Sequence, residues 1–107
     1  VNIKGKGKGG RNQEMALSFL NEFSGNQTGL EGIYFLSAGT DGTDGPTDAA
    51  GALIGPGLPH EAARLGLNPG AYLENNDSYH FFKKAGGLFI TGPTNTNVCD
   101  IQLMIVM

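Results

Sequence analysis

The stretch that decides the fold is IYFLSAGTDGTDGPTDAAG, residues 33–51. Its first four residues, Ile33 to Leu36, form an unbroken apolar run, which is typical of a central strand buried on both faces. Residues 40–51, which we call the acidic loop, then hold three aspartates, three threonines and three glycines. Because ligands bind beyond the carboxyl ends of strands in open α/β sheets, the acidic loop is a candidate binding loop. A solvated turn in which Asp and Thr side chains cap backbone amides remains the alternative.

The rest of the chain alternates between helical and strand patterns. Apolar residues at three- and four-residue spacing predict a helix over 12–23, whose buried face carries Met15, Phe19 and Phe23 together with Ala16 and Leu20. Proline and cap residues predict three short helices that begin near Pro59, Pro69 and Ser78. Further strands are predicted at residues 1–3, 88–90 and 101–106. This alternation predicts a single α/β domain over 1–107, a three-layer α/β/α arrangement with a mixed sheet and short flanking helices.

Composition narrows the class of protein. A length of 107 residues suits one domain with a modest core, and the net charge of −3 argues against nucleic-acid or anionic-membrane partners. The single cysteine, Cys99, suits a reducing, cytoplasmic compartment. No apolar run reaches transmembrane length, and the start at Val1, without an initiator Met, indicates a piece of a longer protein.

Two segments carry candidate chemistry. Gly5-x-Gly7-x-x-Gly10 matches the dinucleotide fingerprint by letter, but the following strand lacks the acid that a Rossmann unit requires. The segment suits anion binding better, because free amides at a helix N-terminus and the fork of Arg11 both favour carboxylate or phosphate. Arg11 could instead be a surface residue paired with Glu14 or Asp48. Asp41, next to the buried strand, is the candidate general base or magnesium ligand.

Four blocks of sequence, taken together in their order and spacing, resemble a known family. The resemblance extends through almost the whole chain. The blocks are GGRNQE at 9–14; TDG at 40–42 with DGPTDAAG at 44–51; NDSY at 76–79 with FF at 81–82; and TGPT at 91–94 with TNV at 96–98 and Asp100. They are similar to the C-terminal, MOFRL-type domain of type 2 glycerate kinases, a family also described as hydroxypyruvate reductases.

The resemblance implies the C-terminal part of a two-domain, ATP-dependent glycerate kinase. Its active site would lie in the cleft with an N-terminal α/β domain, where phosphate passes from MgATP to a glycerate hydroxyl. Arg11 would neutralise the substrate carboxylate or the transferring phosphate, and Asp41 would deprotonate or orient the hydroxyl or help to position magnesium. Substrate or phosphate binding would fall to Gly10, Asn12, Gly42, Asp44, Thr94, Thr96 and Asn97.

The N-terminal domain that would hold most of the ATP site is absent from these 107 residues, so the chain alone is expected to fold but to lack kinase activity. Two other functions stay open. One is a hydroxypyruvate reductase domain, which requires a nicotinamide site. The other is a non-catalytic lid that closes over substrate held by a partner.

Overall fold

The central strand predicted from the apolar run lies inside the sheet, which has four strands in the part of the chain that the structure describes. The computed structural model describes residues 9–22, 32–40, 42, 44–45, 47–92 and 100–106. The described elements are α1 (Arg11–Glu22), β1 (Ile33–Gly39), β2 (Gly51–Ile54), α2 (Leu58–Arg64), α3 (Pro69–Glu74), α4 (Ser78–Ala85), β3 (Leu88–Phe89) and β4 (Asp100–Val106). The strand order is β3-β2-β1-β4, which confirms β1 as an interior strand. The predicted burial on both faces is not found, because Tyr34 is 39% exposed and the described helices cover only the face that carries Phe35. The α/β class and the short flanking helices are likewise confirmed. The strand predicted at residues 1–3 lies outside the described residues.

All described strand pairs are antiparallel, whereas the sequence analysis expected a mixed sheet. Phe35 of β1 pairs with Ile54 of β2 and with Met104 of β4, and Ala52 of β2 pairs with Leu88 of β3. The acidic loop explains the first reversal. No helix is found among its described residues, and a parallel return would require a crossover connection, usually helical.

The described helices pack against one face of the sheet, so this part of the chain forms two layers and not three. Phe35 and Ile54 on the sheet share one core with side chains from α1, α2 and α4, including Leu17, Leu58 and Phe81. Phe19 of α1 stacks on Phe35 with ring centroids 4.4 Å apart. The reason lies in the contacts between helices: α3 and α4 pack against α1, and α2 packs against α4, which keeps all four helices in one layer.

The starts of the short helices were predicted correctly, although Asp77 at the start of α4 makes no side-chain cap hydrogen bond. Pro59 occupies the first turn of α2, and the Asn68 side chain caps α3 by accepting a hydrogen bond from the Gly70 amide at 2.9 Å. The buried face of α1 agrees with the prediction at Ala16 and Leu20 and differs at Met15, which is 47% exposed. The buried face also includes Asn12, Gln13 and Leu17. Asn12 and Gln13 turn inward because their amide side chains make buried hydrogen bonds, described below. Phe23 lies outside the described residues.

The aromatic cluster formed by side chains of α3 and α4 provides a stability test. Phe81 is fully buried and meets Phe82 edge-to-face at 5.3 Å and Tyr72 at 5.5 Å. We expect Phe81→Ala to lower the free energy of unfolding by about 3–5 kcal/mol, because it leaves a cavity in the core. The matched control is Phe89→Ala, since Phe89 is 36% exposed, and its cost should stay below about 1 kcal/mol. Urea unfolding checks both values, and equal costs would contradict the assigned core.

Candidate functional site

The predicted site elements meet at one end of the strands, where β1 and β3 end and β2 and β4 begin. We call this end of the sheet the edge, which here does not mean an outer strand. Gly39, the last residue of β1, pairs with Asp100, the first residue of β4, and Ala38 pairs with Gly51, the first residue of β2. The Ala50 amide donates to the Phe89 carbonyl at 2.8 Å, which brings the end of β3 to the same edge. The acidic loop and the loop that follows β3 therefore start side by side.

Arg11 is the first residue of α1 and lies at this edge. Its Nε donates to Asp100 Oδ2 at 2.5 Å, while the Arg11 side chain remains 72% exposed. Burial opposes the charge of the Asp100 carboxylate, but hydrogen bonds from Arg11 and Asn12 and the charge of Arg11 outweigh it, so the pKa of Asp100 lies below its ordinary value. The Arg11 guanidinium is therefore a planar cation that Asp100 of β4 holds in place and that leaves most of its surface exposed to solvent.

Asp44 accepts hydrogen bonds from the start of α1. Its Oδ1 accepts from the Asn12 backbone amide at 3.0 Å, and its Oδ2 accepts from the Gln13 amide at 2.8 Å. Asp44 is 3% exposed. A carboxylate that accepts from first-turn amides satisfies donors that the helix itself cannot and complements the helix dipole. The anion that the sequence analysis placed at this helix N-terminus is therefore supplied, in the structure, by the acidic loop itself.

The amide side chains of α1 extend this connection to β1. Asn12 Oδ1 accepts from Ser37 Oγ at 2.7 Å, and Gln13 Nε2 donates to Thr47 Oγ1 at 2.9 Å. Both Asn12 and Ser37 are buried. Buried polar groups that hydrogen-bond to one another favour a single arrangement of the elements that carry them. Among the described residues Gln13 Oε1 is buried without a hydrogen-bond partner, so Gln13 contributes to this network through its Nε2 and its backbone amide. We call Asn12, Gln13, Ser37, Asp44 and Thr47 the polar anchor.

Two glycines permit the close approach of the loops. A Cβ on Gly10 would lie 2.3 Å from Asp44 Cγ, so any larger residue would displace the carboxylate. Gly42 has φ +87°, and a Cβ there would lie 2.1 Å from the Gly92 carbonyl oxygen. Gly42 thus combines a backbone conformation that favours glycine with direct packing of the acidic loop on the loop after β3.

The described part of the chain brings five of the predicted site residues to this one edge of the sheet. They are Gly10, Arg11, Asn12, Gly42 and Asp44. The other four, Asp41, Thr94, Thr96 and Asn97, lie outside the described residues, and their roles stay predictions. In the part that the structure describes, no group of three or more His, Cys, Asp or Glu side chains is arranged to hold a metal ion. None of the described helices is long and apolar enough to span a membrane.

The sequence analysis missed the pairing of Arg11 with Asp100. A signal existed, because Asp100 is the one acidic residue after Asp77 and it precedes an apolar strand. Asp48, an alternative partner of Arg11 in the sequence analysis, precedes the turn at Ala49 and accepts from the Tyr79 hydroxyl at 2.9 Å. That hydrogen bond favours the neutral phenol and raises the pKa of Tyr79. The Ala49 amide donates to Thr47 Oγ1 at 3.3 Å, so Thr47 caps this turn.

Comparison with known proteins identifies the family. The model of the MOFRL family matches residues 1–100. The chain belongs to the MOFRL family. It is 50% identical, over its whole length, to the D-glycerate 2-kinase of Thermotoga maritima and 46% identical, over 99% of its length, to the human glycerate kinase.

Solved structures agree with this MOFRL assignment. The crystal structure of the Thermotoga maritima glycerate kinase matches all of the chain with a TM-score of 0.91 and 50% identity. The PH0495 protein of Pyrococcus horikoshii matches 99% of the chain with a TM-score of 0.87 and 45% identity. The MOFRL chain spans 25% and 21% of the lengths of the Thermotoga and human relatives, and 25% and 23% of the two solved chains.

The polar anchor predicts unequal effects of two aspartates in one loop. Asp44→Asn replaces one acceptor oxygen by an amide group facing backbone N–H donors, and should lower the free energy of unfolding by about 1–3 kcal/mol. Asp48→Asn is the matched control, because Asp48 is exposed and the asparagine can still accept from Tyr79. Its cost should stay within about 0.5 kcal/mol. Denaturant unfolding of both variants checks this, and similar costs would show that Asp44 is not an anchor.

The ion pair of Arg11 with Asp100 predicts a pH dependence. Because the folded-state pKa of Asp100 is lowered, the pair stabilises the fold above the ordinary carboxylate pKa of about 3.9 and loses this contribution as pH falls through the lowered pKa. Asp100→Asn should therefore cost about 0.2–1 kcal/mol at neutral pH and progressively less below about pH 4. Urea unfolding at a series of pH values tests the sign. A cost that stays constant down to pH 3 would contradict the ion pair.

Proposed function

We propose that this chain is the C-terminal part of an ATP-dependent glycerate kinase and forms one wall of the cleft in which phosphate passes from ATP to a glycerate hydroxyl. The observation that carries the proposal is the convergence of the exposed Arg11 guanidinium, the acidic loop and the loop after β3 at one sheet edge. The support from comparison is the 50% identity to a D-glycerate 2-kinase over the whole chain. The proposed location is the cytoplasm.

Arg11 suits recognition of an anionic substrate. Its guanidinium is held by Asp100 and is 72% exposed, so it stands at the edge as a planar donor. Such a fork matches carboxylate and phosphate geometry. We propose that Arg11 binds the glycerate carboxylate or stabilises the charge that spreads over the transferring phosphoryl group.

Asp41 has the other chemical role in the proposal. In the sequence it lies between Thr40 and Gly42. Thr40 directly follows β1, and Gly42 packs against Gly92 in the loop after β3. We propose that Asp41 accepts the proton of the attacking glycerate hydroxyl or orients that hydroxyl toward the phosphate. Thr94, Thr96 and Asn97 are proposed to line the same cleft.

Asp41 is the one protein ligand that we propose for magnesium. Of the described carboxylates at the edge, Asp44 accepts from backbone amides and Asp100 pairs with Arg11. These carboxylates therefore do not fit a metal cage. Magnesium commonly takes one or two protein carboxylates and shares its other positions with water and phosphate oxygens. A magnesium ion brought with ATP would meet that requirement with Asp41.

The reductase alternative is disfavoured by the polar anchor. A dinucleotide fingerprint places the pyrophosphate at the N-terminus of the helix that follows it. In this chain the amides of Asn12 and Gln13 already donate to Asp44. A pyrophosphate would have to displace that buried carboxylate.

The decisive experiment is ADP release by the full-length polypeptide, with D-glycerate and MgATP, for the parent and for its Arg11→Ala and Asp41→Ala variants. Loss of a group that stabilises the transition state should lower kcat by about a hundredfold or more in each variant. The matched control is Arg64→Ala, because Arg64 is 68% exposed and pairs with Glu61 at 2.5 Å. Its activity should be unchanged.

The outcomes separate the functions. An unchanged kcat with a raised KM in both variants would identify a substrate-binding lid. A parent that is inactive with glycerate but oxidises NADH in the presence of hydroxypyruvate would establish a reductase.

The chain of 107 residues by itself should release no ADP above background. The physical reason is that phosphoryl transfer depends on positioning both substrates, and we propose that another part of the polypeptide binds ATP. The same assay with purified chain checks this. Turnover that disappears on Arg11→Ala would contradict the expectation.

A further inference from the structure

The sheet face opposite the helices carries a continuous apolar surface. Leu36 pairs with both Leu53 and Leu103, so these three side chains share one face, whereas Phe35 next to Leu36 points into the helix-covered core. The same register places further apolar residues beside them. We call the set the open face: Tyr34, Leu36, Leu53, Phe89, Ile101, Leu103 and Ile105.

The open face exposes more contiguous apolar surface than is usual for a protein surface in contact with water. Leu103 is 50% exposed, Ile101 48%, Ile105 47% and Leu53 41%. Monomeric soluble proteins rarely leave contiguous apolar patches of more than a few hundred Å² uncovered, and larger patches mark interaction sites. No member of the open face carries a charge, which favours a partner surface that is apolar as well.

The sequence of β4 supports the same conclusion independently. A strand with one wet face alternates apolar and polar residues, whereas a strand buried on both faces is apolar nearly throughout. After Asp100, β4 reads IQLMIV, with a single polar residue, yet all six of these side chains are exposed. β4 has the sequence of a buried strand and the surroundings of an uncovered one.

We propose that the open face is the docking surface for the N-terminal part of the longer polypeptide, the part that precedes the segment matched here. This inference rests on the proposed function, in which the chain is one part of a two-part enzyme. The chain equals 25% of the Thermotoga relative and 21% of the human one, so their polypeptides contain ample chain to cover a sheet face.

The position of a pocket favours this occupant over a second copy of the chain. A pocket of about 290 Å³ opens on the open face between Leu36, Phe89 and Ile101, and extends to Thr40 and Thr91 at the candidate site. A segment seated on the open face therefore lies next to the acidic loop, where a two-part active site requires its other part.

Site-specific photo-crosslinking in the full-length polypeptide tests the proposal. The photoreactive residue p-benzoylphenylalanine replaces Leu103 in one variant and Leu53 in another, and the crosslinked peptides are identified by mass spectrometry after irradiation. The matched control is the same replacement of Leu65, which is 40% exposed but is the C-cap residue of α2 and belongs to none of the strands. Two test positions guard against local misfolding at either one.

We expect crosslinks within one polypeptide, from both positions to peptides that precede Val1, at a yield at least ten times that from Leu65. Crosslinks mainly between two copies, or yields no higher than from Leu65, would overturn the proposal. The measurement does not use catalysis. A polypeptide that crosslinks as expected but fails to phosphorylate glycerate would therefore refute the proposed function and leave the docking surface standing.

Discussion

The rest of the structure depends on one buried carboxylate. Asp44 is 3% exposed and accepts from the backbone amides of Asn12 and Gln13 at 3.0 and 2.8 Å. These amides belong to the first turn of α1, where the helix has no acceptors of its own. The contact fixes the loop after β1 to the start of α1, although 31 residues separate Gln13 from Asp44 in sequence. The edge on which Arg11 lies is built around this link.

The anchor separates structural from chemical roles at the edge. Asp44 and the amide side chains of α1 are turned inward and bond to one another, so they define geometry. Arg11 is turned outward and is held from β4 by Asp100. A helix N-terminus already neutralised by its own carboxylate leaves the guanidinium as the group suited to an incoming anion. This division fits a half-site that positions substrate, with the nucleotide supplied from another part of the polypeptide.

The sequence predicted the elements better than their mutual arrangement. The apolar run at 33–36 predicted an interior strand, and Asn68 with Pro69 predicted the start of a helix. Both signals are local, and both elements were confirmed. The face of α1 was wrong for Met15, because hydrogen bonds to Ser37 and Asp44 draw Asn12 and Gln13 inward against their polarity. Spacing within the acidic loop likewise did not show that Asp44 is buried, since its burial depends on partners more than thirty residues away.

The most direct test of this account is the hydrogen exchange rate of individual amides, measured by NMR on the 107-residue chain. If Asp44 anchors α1, the amides of Asn12 and Gln13 should exchange only on global unfolding, although first-turn amides ordinarily exchange quickly. The Gly70 amide, capped by Asn68 at the exposed start of α3, provides the internal comparison. Protection of Asn12 and Gln13 far above that of Gly70, lost in Asp44→Asn, is the predicted result. Exchange as fast as that of Gly70 would contradict the central role given to this carboxylate.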